Sequence, residues 1–222
     1  TATSSNTALA PNSGMVLGGS GANRTLAIAL APEASGQTTI TVGVYDGTYR
    51  VNESFVLTVQ ATNDVPALTV PAAVSTLEDT PVAVGAFSIS DADAGTARVR
   101  ATVAVSNGTL QLSTLGGATL SSGANGSAAM VLQGTLTELN AAFAASTFTP
   151  AVDYFGTATV TVTVSDLGNT GSGGAQSVSG SVTISVAAVN DAPSFTKGSD
   201  QTVLNTAGAQ VRVGWATAIS AG

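Results

Sequence analysis

Apolar and polar residues alternate along four stretches of the chain. Ile40-Val42-Val44, Phe55-Leu57-Val59, Val160-Val162-Val164 and Val182-Ile184-Val186 carry the apolar positions, with mainly Thr and Ser between them. A period of two places one set of side chains on one face of an extended strand. One apolar and one hydroxyl-rich face is the pattern of antiparallel strands with one side buried and one wetted. Clusters of Gly, Asn and Ser such as SNGT and SSGANGS punctuate the pattern and predict turns. The single helical candidate is TLTELNAAFAAS, where Thr135 and Glu138 have capping-box spacing and Leu136, Leu139 and Phe143 share a side. Arg98 and Arg100 alternate on a further predicted strand and are expected to form a solvated face that discourages edge pairing.

The alternating stretches recur. NESFVLTVQATNDVPAL at 52–68 matches SGSVTISVAAVNDAPSF at 179–195 at an offset of 127, so that Asn63 and Asp64 fall on Asn190 and Asp191. Upstream, TTITVGVYDG at 38–47 matches TATVTVTVSDLG at 157–168, which pairs Asp46 with Asp166 and gives the second copy a longer, Gly-rich hairpin tip. The repeat predicts the latter part of one module at 1–64, a complete module at 65–191 and the start of a third at 192–222. End pieces that expose an apolar face and unpaired edges are expected to be poorly stable alone.

Composition agrees with strands. The chain has 222 residues, 44% apolar and only 9% charged; it is poor in the long side chains that favour helices and rich in Val, Thr, Ser, Ala and Gly. Thirteen acids stand against six bases, which argues against nucleic acid or an anionic membrane surface and for a cation as partner. With no Cys and no His, disulfides, thiolate chemistry, the commonest general base and the commonest transition-metal ligand are all excluded. No stretch approaches the roughly 20 apolar residues of a spanning helix. The opening residues have no signal-peptide pattern, and targeting signals are expected to lie elsewhere in a longer protein.

The few acids gather in turn motifs at predicted strand ends. Glu78 and Asp79 lie in TLEDTP, Asp91 and Asp93 in SDADAG, Asp153 in VDYFG, Asp166 in VSDLG, and Asp64 and Asp191 in the links. Calcium takes six to eight oxygens from short side chains and carbonyls in adaptable loops, which Asp and Asn at alternating positions supply. The same residues also turn a chain by bonding to nearby amides, and both readings stay open for any one of them. As an enzyme the chain would need a carboxylate pair in a cleft, and Asp91 with Asp93, two apart in a polar turn, fits ligands better. No catalytic residue is assigned. A carbohydrate-binding sandwich is the alternative, with Tyr45, Tyr49, Tyr154 and Trp215 as stacking candidates; burial preference instead places Tyr154 and Phe155 in a strand of the core and packs Trp215 within its own module.

VNDAP at 189–193, TNDVP at 62–66, the DAD at 91–93 and the VSD at 164–166, in the same order within one period, resemble the cadherin-like tandem modules of large bacterial surface adhesins of the repeats-in-toxin type. The resemblance implies an all-β fold of tandem immunoglobulin/cadherin-like Greek-key β-sandwich modules, secreted or displayed at the bacterial surface, with adhesion or spacing as the role. It implies calcium between modules. The first link would use Asn63, Asp64, Asp91, Asp93 and Asp166; the second would use Glu78, Asp153, Asn190 and Asp191. Asp153 lacks the glutamate that often accompanies it in the family, and Asn205 and Thr206 stand where a third module would repeat Glu78 and Asp79. The implied partners are neighbouring modules and a cell-surface glycan or protein ligand, with no membrane insertion.

Overall fold

A computed structural model describes residues 1–220. The first part of the chain forms β1 (Ala2–Ser4), β2 (Met15–Ser20), β3 (Asn23–Ile28), β4 (Gly36–Tyr45) and β5 (Arg50–Val59). The middle forms β6 (Ala67–Thr69), β7 (Val74–Leu77), β8 (Val82–Val84), β9 (Ser88–Ser90), β10 (Val99–Val105), β11 (Gly108–Leu112), β12 (Thr119–Gly123), β13 (Ala129–Gly134), α1 (Leu136–Phe143), β14 (Ser146–Pro150), β15 (Gly156–Ser165) and β16 (Ser177–Ala187). The last part pairs β17 (Ser194–Lys197) with β18 (Ala216–Ser220). The chain is all-β, and its middle part is built as a β-sandwich, as the alternation predicts.

In the middle part, a six-stranded sheet of order β12-β13-β10-β15-β16-β7 faces a three-stranded sheet of order β11-β14-β8. The apolar face of the large sheet supplies Val160, Val162, Val164, Val182 and Ile184, and the facing layer adds Val84, Leu110, Leu112 and Phe148. All of these are almost fully withdrawn from water. Two sheets packed through alternating inward side chains make the sandwich, and each fully buried Val or Leu contributes about 1.5 to 3 kcal/mol. The outer face of the β15–β16 ribbon carries hydroxyls instead, bonded across rungs at Thr161–Ser181 (2.8 Å) and Thr163–Ser179 (2.9 Å).

The helix forms where the capping signal predicts. Thr135 Oγ1 accepts from Glu138 N at 3.3 Å and Glu138 Oε2 accepts from Thr135 N at 2.8 Å, a reciprocal cap worth about 1 kcal/mol. Leu139, Ala142 and Phe143 turn into the core, and Phe143 meets Phe87 edge-on at 5.8 Å. From the same helix Asn140 bonds both backbone groups of Ile89, each at 2.8 Å. That bond pins β9, the strand leading into Asp91 and Asp93.

Two expectations are corrected here. Arg100 lies on β10, an interior strand paired to β13 and β15, so it guards no edge; Arg98, just before it, donates to Gln133 O at 2.7 Å across the sheet. Phe155 precedes β15 and is 65% exposed, so only Tyr154 packs on the core.

In the first part, β1-β4-β5 form one sheet and β2-β3 a separate hairpin. The β4–β5 register is that of β15–β16: Gly36 faces Val59 as Gly156 faces Val186. The likeness extends upstream of the sequence repeat. Ser5 N donates to Thr39 O and Ser106 N to Thr159 O, both at 3.0 Å, while Ser5 Oγ and Ser106 Oγ accept from Thr39 N and Thr159 N. Yet β3 runs to β4 through residues 29–35 alone, whereas α1 and β14 intervene between β13 and β15. With no counterpart to that layer among the described residues, Val44, Val51 and Phe55 are exposed. In the last part Trp215 packs on Phe195 at 6.4 Å and donates to Ser199 O at 3.3 Å, and is 40% exposed.

Candidate metal site

The link after β5 carries Asn63 and Asp64 to the end of the sandwich where β9 releases Asp91 and Asp93 and where Asp166 follows β15. Asp91 Oδ1 accepts from Asp93 N at 2.8 Å and Ala94 N at 2.9 Å, the local turn that its residue type favours. That turn swings Asp93 toward the link, where its Oδ2 accepts a short hydrogen bond from Asp64 N. A third carboxylate arrives from the preceding sheet. Glu33, in the turn into β4 at φ 56°, places an oxygen with those of Asp64 and Asp93, all within 4.8 Å of one another.

Three carboxylates this close repel one another. The hydrogen bond with Asp64, and then the charges of Asp64 and Asp93, push the Glu33 carboxyl above its ordinary value. Two further oxygens are buried without any hydrogen-bond partner: Oδ1 of Asn63, the chain neighbour of Asp64, and Oδ2 of Asp91, which lines a cleft with Glu33 and Asp64. Buried acceptors are rarely left unpaired, since each costs about 1 to 3 kcal/mol. Oxygen-only donors, net negative charge and two idle acceptors suit a hard divalent cation such as calcium.

Asp166 is placed differently. It has no exposed surface; its Oδ1 accepts from Gly168 N and Gln176 N, each at 2.8 Å, and its Oδ2 from Asn63 Nδ2 at 2.6 Å. Burial pushes its carboxyl up, but the donors from Gly168, Asn63 and Gln176 outweigh burial and hold it below the ordinary range. The charge is thereby spent on tying the link to the sandwich.

At the other end, Glu78, Asp153, Asn190 and Asp191 line one cleft together with Phe155 and Val189. Glu78 is buried and accepts a short hydrogen bond from Val189 N, while Asp79 Oδ1 accepts from Asp153 N at 3.1 Å. Among the described residues, Glu33, Asp64 and Asp93 are the acidic trio that converges tightly; the second set shares a cleft without doing so.

Glu33 is the residue that reading the sequence missed. It stands three before Gly36 as Asp153 stands three before Gly156, and both sit in left-handed turns at φ 56° and 55°. The 127-residue offset does not align them; the strand register does. Of the aromatic candidates, Tyr154 donates to Thr157 O at 2.7 Å and accepts from Asn107, while Tyr45 and Tyr49 stand exposed.

No protein family model matches the chain, and no curated protein does either. Among solved structures the chain is similar to human protocadherin-24 EC1-2, at 22% identity over 85% of this chain and 82% of that one, with a TM-score of 0.37. It is similar to human mucin-like protocadherin EC1-2, at 15% identity over 85% of each, TM-score 0.38. A further likeness is to domains 4 and 5 of the S-layer protein SbsC, at 13% identity over 84% of this chain and 70% of that one, TM-score 0.31.

Proposed function

We propose that this chain is a non-catalytic segment of a secreted or cell-surface adhesin, a spacer whose first inter-module link is stiffened by calcium. The reading takes modules at 1–64, 65–191 and 192–222. Its main support is one observation: the carboxylates of Glu33, Asp64 and Asp93 converge within 4.8 Å, while Asn63, the neighbour of Asp64, and Asp91, in a cleft with Glu33 and Asp64, each keep a buried oxygen without a partner. Glu33 belongs to the first module, Asn63 and Asp64 to the link, and Asp91 and Asp93 to the second. A cation held by these groups ties all three. Without it, like charges a few ångströms apart repel and favour separation of the modules; a divalent ion reverses the sign of that interaction. Asp166 acts by orienting Asn63. The Glu78, Asp153, Asn190 and Asp191 set is the looser counterpart at the second link.

Calcium modules of the outside world bind with dissociation constants of about 10⁻⁴ to 10⁻³ M. Thermal unfolding in EDTA and in excess calcium, with magnesium as control, tests the proposal. Calcium at a hundred times its dissociation constant should add about 2.7 kcal/mol per site and raise the midpoint by several degrees. An identical midpoint in EDTA and calcium would reduce the acids to turn residues.

A further inference from the structure

The tip of the β15–β16 hairpin spans residues 166–176, where the β4–β5 hairpin closes through residues 46–49. The first copy shows how little a turn here requires: Asp46 Oδ1 accepts from Thr48 N and Tyr49 N and the ribbon is closed. The seven additional residues of the second copy, rich in Gly, therefore serve something other than the turn.

They lie along the link. Ser172 N donates to Ala61 O at 2.9 Å and Asn63 N donates to Ser172 O at 2.8 Å, so the tip pairs with the link through one parallel bridge at Thr62–Ser172. Asn63 Nδ2 donates to Gly174 O at 2.9 Å, and Thr170 Oγ1 to Asp93 O at 3.3 Å. Gly171 makes the approach possible: a Cβ there would stand 2.7 Å from Thr62 C and 2.8 Å from Asn63 N, and its φ is +128°. Backbone pairing of this kind is strand addition to a segment that otherwise has no ladder partner.

The geometry points to a clasp: the extended hairpin tip fastens the first link to the sandwich through backbone hydrogen bonds that need no cation. The first link then has two fasteners, of which only the acidic trio depends on ions. The second link has no such tip among the described residues, and Asn190 Nδ2 finds only Asp191 O, at 3.1 Å. The clasp stands or falls independently of calcium.

Because the chain has no Cys, Thr48→Cys and Ser185→Cys on exposed positions of the two modules take a donor and an acceptor dye cleanly. Single-molecule energy transfer in EDTA should show one narrow distance population for the native tip. Replacing residues 167–175 with Gly-Thr, the short form of the first copy, should lose that population, and Gly171→Val should do the same with tip length kept. Unchanged unfolding of the buried core, followed separately, identifies a folded variant. A native chain already broad in EDTA, or folded variants that stay narrow, would overturn the clasp. Recovery of the narrow population in the shortened variant on adding millimolar calcium reports the ionic fastener alone; failure to recover counts against the calcium proposal and leaves the clasp intact.

Discussion

In the β15–β16 ribbon Val160, Val162, Val164, Val182 and Ile184 are almost wholly inaccessible to water, whereas in the β4–β5 ribbon Val44 is 69% exposed and Phe55 46%. Both ribbons have the same rung pairing and the same hydroxyl pairs on the outer face, Thr41–Ser54 in one and Thr161–Ser181 in the other. The difference lies in what covers them. The β11-β14-β8 sheet and α1 close the inner face of the second ribbon, whereas the buried apolar side chains around the first are Leu9, Ala10 and Ile40, with Thr38 buried beside them. Alternation thus specifies strand and register, while a second layer decides whether the apolar face yields stability.

The largest effect that sharpens this contrast is a charge on the inner face. Val162→Asp places an unpaired carboxylate where nothing can solvate it, and should destabilise the middle sandwich by about 4 kcal/mol or more. Val42→Asp, at the matching rung of the first ribbon, is partly exposed and faces Glu53; it should shift denaturant unfolding of the middle sandwich by no more than about 0.5 kcal/mol. Equal losses at the two positions would show that the first ribbon unfolds together with the middle sandwich and supports it as strongly as the second does.

The hairpin tips give a smaller contrast. Asp166→Ala leaves the amides of Gly168 and Gln176 and the Asn63 side chain without their acceptor, at a cost of about 2 to 3 kcal/mol. Asp46→Ala removes a carboxylate that is exposed, and the midpoint should hardly move. The pH dependence has a fixed sign. The Asp166 carboxyl is depressed in the folded chain, so its contribution is present above the unfolded value near 3.9 and is lost as pH falls through the folded value. Urea titrations over the acid range should therefore show a steep loss in the native chain and a flatter one in Asp166→Asn.

Much of this was legible in residues alone. Strand alternation, the capping box at Thr135 and the repeat of the Asn-Asp link are local signals, and the structure realises the strands and the helix where those signals fall. Phe155 was misread because a large aromatic beside a strand usually turns inward, yet the strand begins one residue later, at Gly156. Glu33 escaped because the hairpin tips differ by seven residues, so that no single period carries both link and turn. The pairing of Ser172 with the link joins residues 110 apart through backbone groups, which leave no side-chain signature to read.

Glu33 supplies the finest test, because it sets the first link against the second. Its carboxyl is raised by the hydrogen bond with Asp64 and by the neighbouring charges, and in the unfolded chain those neighbours disperse. A folded value above the unfolded one means that ionised Glu33 opposes the junction at neutral pH and that protonation relieves it. The junction should therefore gain stability as pH falls toward the raised value, opposite in sign to Asp166. A bound cation competes with that proton. Carboxyl NMR titration in EDTA should show Glu33 above the usual glutamate range, and added calcium should drive the midpoint down. Glu33→Gln should weaken calcium binding by about tenfold, since it removes one charge from a ligand set whose affinity follows charge count. Asp153→Asn, the counterpart in the looser set, should weaken it less. If the Glu33 midpoint ignores calcium, the trio is an exposed acidic cluster, and any stiffness of the first link must come from the backbone pairing with the hairpin tip.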